Sequence, residues 1–241
     1  MLSSSVAVIY GEPFPTQTIL EWFSGALPPQ AIMVGTNAER VRQIVQEWPA
    51  DWPAPMVFTD KQRLPIQVDV DFPEKVGMDR LLHAVAAQFL RKSDQPVITV
   101  GSGTAITVDV VDAAGVFRGG AILPGILLGA KSLHEETTTL PHVNVWELLS
   151  HEPAVIGRNT EAAIASGLYW GHLGGVRELI TRETAWLKQH SPRSPLIVLT
   201  GGASGIIAPY LPRARHLPDL ALRALAALLM HHRLDLQDSG R

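Results

Sequence analysis

The sequence predicts an α/β fold, and three observations carry that expectation. Short apolar runs alternate with helical patterns through the first 59 residues, a β-branched run turns back on itself between residues 97 and 123, and a long helical pattern starts at Thr160. Strand-length runs separated by periodic stretches are the signature of strand–helix–strand units in a partly parallel sheet. In order, the first segment reads as a strand at Val6 to Tyr10, a helix at Thr16 to Leu27, a strand at Ala31 to Gly35, a helix at Ala38 to Trp48 and a strand at Pro55 to Thr59. Asp60 to Lys75, rich in Asp, Pro and Lys, reads as a linker. Leu81, Leu82, Val85, Ala86, Phe89 and Leu90 then share one face at helical spacing, which predicts a helix from near Gly77 to Ser93.

From Val97 to Val111 the chain is rich in β-branched residues with a two-residue period. Asp112-Ala113-Ala114-Gly115 is a turn, and Val116 to Leu123 returns as the second arm of a hairpin. Pro124-Gly125 opens a helix to about Glu136, and Thr137 to Asn144 is loop or edge structure. The helix from Thr160 to about Gln189 has Asn159 as its N-cap and Glu161 in its positive first turn. Its glycines, Gly167, Gly171, Gly174 and Gly175, are expected to let a neighbouring backbone come close. Leu196 to Leu199 is a short buried strand, Leu220 to Met230 a closing apolar helix, and Gln237 to Arg241 a frayed tail. The expected division is an N-terminal half over 1–95 and a C-terminal half over 96–241.

Composition excludes several classes of function. Twenty Lys plus Arg against 23 Asp plus Glu leave a net charge of −3 with no basic stretch, so nothing matches a nucleic-acid backbone. The absence of Cys removes thiolate chemistry and Cys-based zinc sites. The longest charge-free stretch, Ser194 to Pro212, is broken by Pro195, Gly201, Gly202, Gly205 and Pro209, so it is not a spanning helix. Without a signal-peptide pattern at the N-terminus, the expectation is a soluble cytoplasmic protein. His134-Glu135 and His151-Glu152 lack the zincin spacing, and no metal ligand is assigned.

Four short stretches could carry chemistry. Gly101-Ser102-Gly103-Thr104 interrupts a strand-like run, so it is neither a Rossmann nor a P-loop fingerprint, whose glycines open a helix. It offers a hairpin tip where backbone N–H groups and the Thr104 hydroxyl can approach phosphate oxygens, or simply a glycine bend in a twisted sheet. Thr200-Gly201-Gly202 follows an apolar strand, where ligands commonly bind in α/β sheets, or else forms a turn needing positive φ. Asp79 and Arg80 open a helix: either the acid complements the helix dipole, or it is a carboxylate base beside an anion-binding guanidinium. Ile156-Gly157-Arg158-Asn159-Thr160 is another helix start, offering free N–H groups or ordinary capping.

Taken in order, these stretches resemble the type III pantothenate kinase family of the actin-like superfamily of sugar kinases, acetate kinases and chaperone ATPases. Val76-Gly77-Met78-Asp79-Arg80 is similar to the family's Gly-Ala-Asp-Arg helix, and Gly101 to Val111 to its Asp-Phe-Gly-Thr-Ala-Thr-Thr hairpin. Gly119 to Gly125, Leu140-Pro141, Ile156 to Thr160, Ser166-Gly167 and Thr200-Gly201-Gly202 continue the series, from about Val70 to Met230. The resemblance implies an actin-like, ribonuclease H-like α/β fold of two related halves, forming a homodimer. It implies transfer of the γ-phosphoryl group of ATP to the primary hydroxyl of pantothenate, giving 4'-phosphopantothenate, the first step of coenzyme A biosynthesis. Asp79 is then the catalytic proton acceptor; Gly77, Met78, Asp79, Arg80 and Thr160 bind the substrate; and Gly103 and Thr104 bind ATP. ATP is expected with a divalent cation. A monovalent cation, potassium or ammonium, is also implied, although Gly101 stands where the family has its aspartate ligand. The family's opening Asp-x-Gly-Asn-Thr strand is absent from the first 60 residues, so an N-terminal half cut short at its front is expected. Val70 stands where the family has a substrate-contacting Tyr. The alternatives are a catalytically inactive relative with a ligand-binding or regulatory role, and a different kinase of the same superfamily.

Overall fold

The β-branched run at the centre of the chain builds the sheet on which the remaining elements are arranged. The computed structural model describes residues 16–22, 31–35 and 37–228. The elements are α1 (Thr16–Trp22), β1 (Ile32–Met33), α2 (Ala38–Glu47), β2 (Met56–Val57), β3 (Gln67–Val68) and α3 (Met78–Gln88), followed by β4 (Val97–Ser102), β5 (Ala105–Val111) and β6 (Val116–Pro124). Then come α4 (Ile126–Glu135), α5 (Val145–Ser150), α6 (Thr160–Lys188), β7 (Leu196–Thr200), β8 (Arg215–His216) and a closing helix over 220–228. The α/β class expected from the sequence is the class observed. The strand at Val6 to Tyr10, the end of the helix at Thr16 to Leu27 and the tail at Gln237 to Arg241 lie outside the described residues.

Six strands form a mixed sheet in the order β3-β6-β5-β4-β7-β8, while β1 and β2 pair as a separate parallel ribbon. β4, β5 and β6 form an antiparallel meander, and β7 lies parallel to β4 from Val97↔Leu196 to Gly101↔Thr200. β4 and β7 therefore end together. The two-residue period sorts alternate side chains to opposite faces. Val97, Val111, Phe117 and Val198 join α3 and the 220–228 helix on one face, through Leu81, Leu82, Val85 and Leu220. Ile98, Val100, Ile106, Val108 and Val110 join α4, α5 and α6 on the other, through Ile126, Leu148, Leu173 and Val176. Helices thus cover both faces of a largely buried sheet.

Two expectations change. Asp60 to Lys75 carries β3, which pairs in parallel with Val116 and Phe117 of β6, and Leu64 in this stretch is buried. Its alternating Leu64, Ile66 and Val68 pack against the core, whatever the polar composition around them. The glycines of α6 do not admit a backbone: nothing lies within 4 Å of a side chain built at Gly167, Gly171 or Gly174, and Gly175 meets only the Leu123 side chain, at 3.4 Å. Close approach occurs instead in the sheet. A Cβ on Gly120 would sit 1.9 Å from the Val108 carbonyl oxygen and 2.7 Å from the Asp109 Cα.

That contrast is testable by thermal unfolding. Gly120→Ala forces the β5–β6 backbones apart and is expected to cost ~3 kcal/mol, at the upper end of overpacking penalties. Gly167→Ala, in open space on a helix, is expected to stabilise by ~0.5–1 kcal/mol. Equal effects would contradict the packing described.

Candidate functional site

The carboxyl ends of β4 and β7 meet at one edge of the sheet, and both run into glycine turns. β4 and β5 are joined by Gly103 and Thr104 alone, so the tip expected from the sequence forms there, with both residues exposed. Gly125 packs under this tip: a Cβ on it would lie 2.2 Å from the Gly103 carbonyl oxygen, and its own N–H donates to the Thr104 carbonyl at 2.9 Å. Beyond β7, Gly201 has φ +97, and a side chain there would meet the Ser102 carbonyl oxygen at 2.3 Å. The Ala203 N–H donates to the same carbonyl at 3.0 Å. The two junctions are thus packed on each other, at the edge where parallel strands of α/β sheets present ligands.

Helix α3 brings Asp79 and Arg80 to this part of the sheet. Gly77 is its N-cap, and a Cβ there would sit 2.5 Å from the Asp79 Oδ1, so the bare glycine leaves room for the carboxylate. Asp79 is exposed in the first turn, and Met78 beside it is buried. Arg80 turns inward. Its Nε donates to Asp109 Oδ1 at 3.0 Å and Oδ2 at 3.2 Å, its Nη2 also donates to Oδ1, and its guanidinium carbon lies 5.7 Å from the Phe117 ring centre. The Asp109 side chain has no exposure. Burial pushes its carboxyl above the ordinary value, against the opposing pull of Arg80 and a hydrogen bond from Thr107. At the far end of α3, Arg91 Nη1 donates to the carbonyls of Gln95, Asp112 and Ala113, and Gln88 Nε2 to that of Gly115. The helix is pinned at both ends.

Asp109 and His83 are functional candidates that sequence reasoning passed over. A single acid within Ala105 to Val111, an otherwise uncharged and buried strand, signals a paired charge, since an unpaired one is too costly to bury. His83 follows Asp79 by one turn. Its imidazole reaches Gly101, where a Cβ would meet His83 Cε1 and Nδ1 at 3.1 Å each. Burial pushes the imidazole below its ordinary value, while the Asp79 carboxylate acts in the opposite sense.

Thr160 is placed elsewhere. It opens α6, with Asn159 as the N-cap accepting from the Ala162 N–H at 2.8 Å. α6 covers the face opposite α3, and Thr160 stands ~22 Å of helix axis before Gly175, the residue that touches Leu123. Within one chain, then, Asp79 and Thr160 lie on helices on opposite faces. A cleft of about 510 Å³ beside the α6 start is lined by Glu147, Asn159 and Glu161, and it shares His142 and Asn144 with a second cleft of about 520 Å³ that Thr104 lines with Lys131 and Trp146. No helix among the described residues is long and apolar enough to cross a membrane.

Further along α6, Glu183 borders a cleft of about 110 Å³ with Val110, Gly119 and Gly120, and its buried Oε2 has no hydrogen-bond partner. Burial, and then the charge of Asp109, raises its carboxyl to about 8.

The family model described as type III pantothenate kinase matches residues 21–182. Curated type III pantothenate kinases of Chlorobaculum parvum, Gluconobacter oxydans and Rubrobacter xylanophilus are 41%, 37% and 41% identical over 69%, 78% and 66% of this chain. The matched stretch spans 61%, 66% and 59% of those relatives' own lengths, less than two thirds of each. A solved structure from Campylobacter jejuni, described as a Baf family transcriptional activator, superposes with a TM-score of 0.56 over 89% of this chain and 88% of its own, at 16% identity, which shows a shared fold.

Two outcomes follow from the buried charges. Arg80→Leu strands Asp109 and is expected to cost ~3–5 kcal/mol in chemical denaturation, whereas Arg80→Leu with Asp109→Leu costs less than the single change; additive losses would remove the pairing from the account. For Glu183, folded and unfolded chains are both protonated below about 4.5, and between 4.5 and about 8 the folded chain alone holds the proton. Stability therefore declines as pH rises through that window and levels off above it. Glu183→Gln is expected to flatten this decline in melting temperature between pH 5 and 8.5; a parallel decline in both proteins would contradict it.

Proposed function

This chain belongs to the type III pantothenate kinase family, and we propose that it catalyses ATP-dependent phosphorylation of pantothenate to 4'-phosphopantothenate, the first step of coenzyme A biosynthesis. The observation that carries the reading is the exposed Asp79 carboxylate at the head of α3, held by the Arg80–Asp109 anchor on the sheet whose edge bears the Gly103–Thr104 tip. Asp79 accepts the proton of the pantothenate primary hydroxyl as that oxygen bonds to the γ-phosphorus and the bond to the ADP leaving oxygen breaks. ATP enters as its complex with a divalent cation. The Gly103 and Thr104 backbone and the Thr104 hydroxyl contact its phosphates, on a tip that Gly125 keeps close to the following strand.

Gly77, Met78 and Arg80 shape the acceptor side around Asp79: Gly77 gives the carboxylate room, Met78 is packed beneath it, and Arg80 keeps the helix start in place. Thr160 stands at the start of α6 on the other face of the sheet, so it contacts a pantothenate held at Asp79 only where a second copy of the chain brings its α6 start to that site. The division into halves at residue 95 belongs to the same reading. So does a cytoplasmic homodimer, for which the exposed Leu127 and Leu128 of α4, a helix packed on α6, offer an apolar surface.

A coupled assay for ADP release with pantothenate as acceptor tests this. The expected result is turnover that Asp79→Asn lowers by ~10²–10⁴-fold, the usual contribution of a general base, with an unchanged melting temperature. Wild-type turnover in Asp79→Asn would remove the base from the mechanism. Pantothenate binding without turnover in the parent protein would favour a ligand-binding relative.

A further inference from the structure

The family resemblance implies a monovalent cation, and the residues present do not fit one. The position of its usual carboxylate ligand is Gly101, a buried residue near the end of β4. A side chain at 101 would be crowded, with its Cβ 3.1 Å from both Cε1 and Nδ1 of His83 and 3.0 Å from Thr107 Oγ1. Potassium and ammonium are held by carboxylate, carbonyl and hydroxyl oxygens, whereas an imidazole suits transition metals. Here an imidazole edge and one hydroxyl replace the carboxylate. No step of the proposed reaction runs through such a cation.

What the imidazole does instead is indicated by an unmet bond. His83 Nδ1 is buried without a hydrogen-bond partner, as is Thr99 Oγ1, which lies two residues before Gly101 on the same face of β4. Buried polar atoms are nearly always paired, and in the Nδ1–H tautomer this orphan nitrogen is a donor with no acceptor among the described residues. His83 lies one helical turn after Asp79, and Gly101 lies two residues before Gly103. The imidazole therefore belongs to the helix that opens with the proposed proton acceptor, and it packs on the strand that ends in the proposed ATP tip.

We infer that His83 is a further catalytic residue, donating a hydrogen bond to the phosphoryl oxygens in flight at the position where a monovalent cation would otherwise stand, so that the reaction runs without potassium or ammonium. This rests on the kinase reading above. The imidazole supplies a fixed dipole aimed at developing charge, and no covalent bond to it forms.

The test compares initial rates in sodium, potassium, ammonium and choline chloride at constant ionic strength, with melting temperatures in the same salts. Wild-type rates are expected to be equal across the salts, with no potassium-specific gain in melting temperature. His83→Ala is expected to lower kcat by ~10²-fold, at the lower end for a lost transition-state donor, with KM and melting temperature little changed and kcat partly restored in His83→Gln. Stimulation of the wild type by potassium or ammonium, or an undiminished kcat in His83→Ala, would overturn the inference. If His83→Ala does not fold, His83→Asn is read by the same criteria. Should the wild type phosphorylate no pantothenate in any salt, the kinase reading fails by itself. The salt-dependent melting temperature then still decides whether a monovalent cation binds: a potassium-specific rise counts against the inference, and its absence supports the crowded site.

Discussion

Asp109 is a fully buried carboxylate in the middle of an apolar strand, and the guanidinium of Arg80 is its partner. Removing two charges from water is expensive, and the pair is tolerable only because two guanidinium nitrogens and Thr107 together satisfy the carboxylate. The pair sets where the start of α3 lies on the sheet. Arg91 and Gln88 hold the other end of the helix on the β5–β6 turn, so α3 has little freedom to slide. With the helix held this way, Asp79 is exposed above Gly77 and His83 is pressed against Gly101. The candidate base and the candidate hydrogen-bond donor to the phosphoryl group depend on one ion pair that need not itself touch a ligand.

The glycines of the sheet edge serve a second constraint, close backbone approach. Gly120, Gly125 and Gly201 each lie against main-chain atoms of a neighbouring segment, nearer than any side chain permits. They draw β6, the β4–β5 tip and the turn after β7 together, so the two strand ends form one edge. The glycines of α6 have no such role within the chain, since Gly167, Gly171 and Gly174 face open space.

Much of the fold was legible in the sequence because its signals are local. Asn159 and the helical period placed α6 within a residue of its observed ends, and the two-residue period of Val97 to Val111 placed β4, its tip and β5. The site was legible in part: Gly103 and Thr104 form the expected tip, and Asp79 opens the expected helix. β3 was hidden because two residues of strand in a polar, proline-containing stretch have no periodicity to read. α5, six residues long, was missed for the same reason.

The sequence by itself determined the class of the fold, the succession of its longer elements and the family, because periodicity, capping and short motifs are properties of neighbours along the chain. Only the tertiary structure decided that Arg80 is bound to Asp109, that His83 packs against Gly101, and that Thr160 stands on the face opposite Asp79. Those relations join residues far apart in the chain, and they exist only once the sheet has closed and its two faces have taken their helices. A residue type and its spacing state what a side chain can do; the packing around it selects the partner it meets.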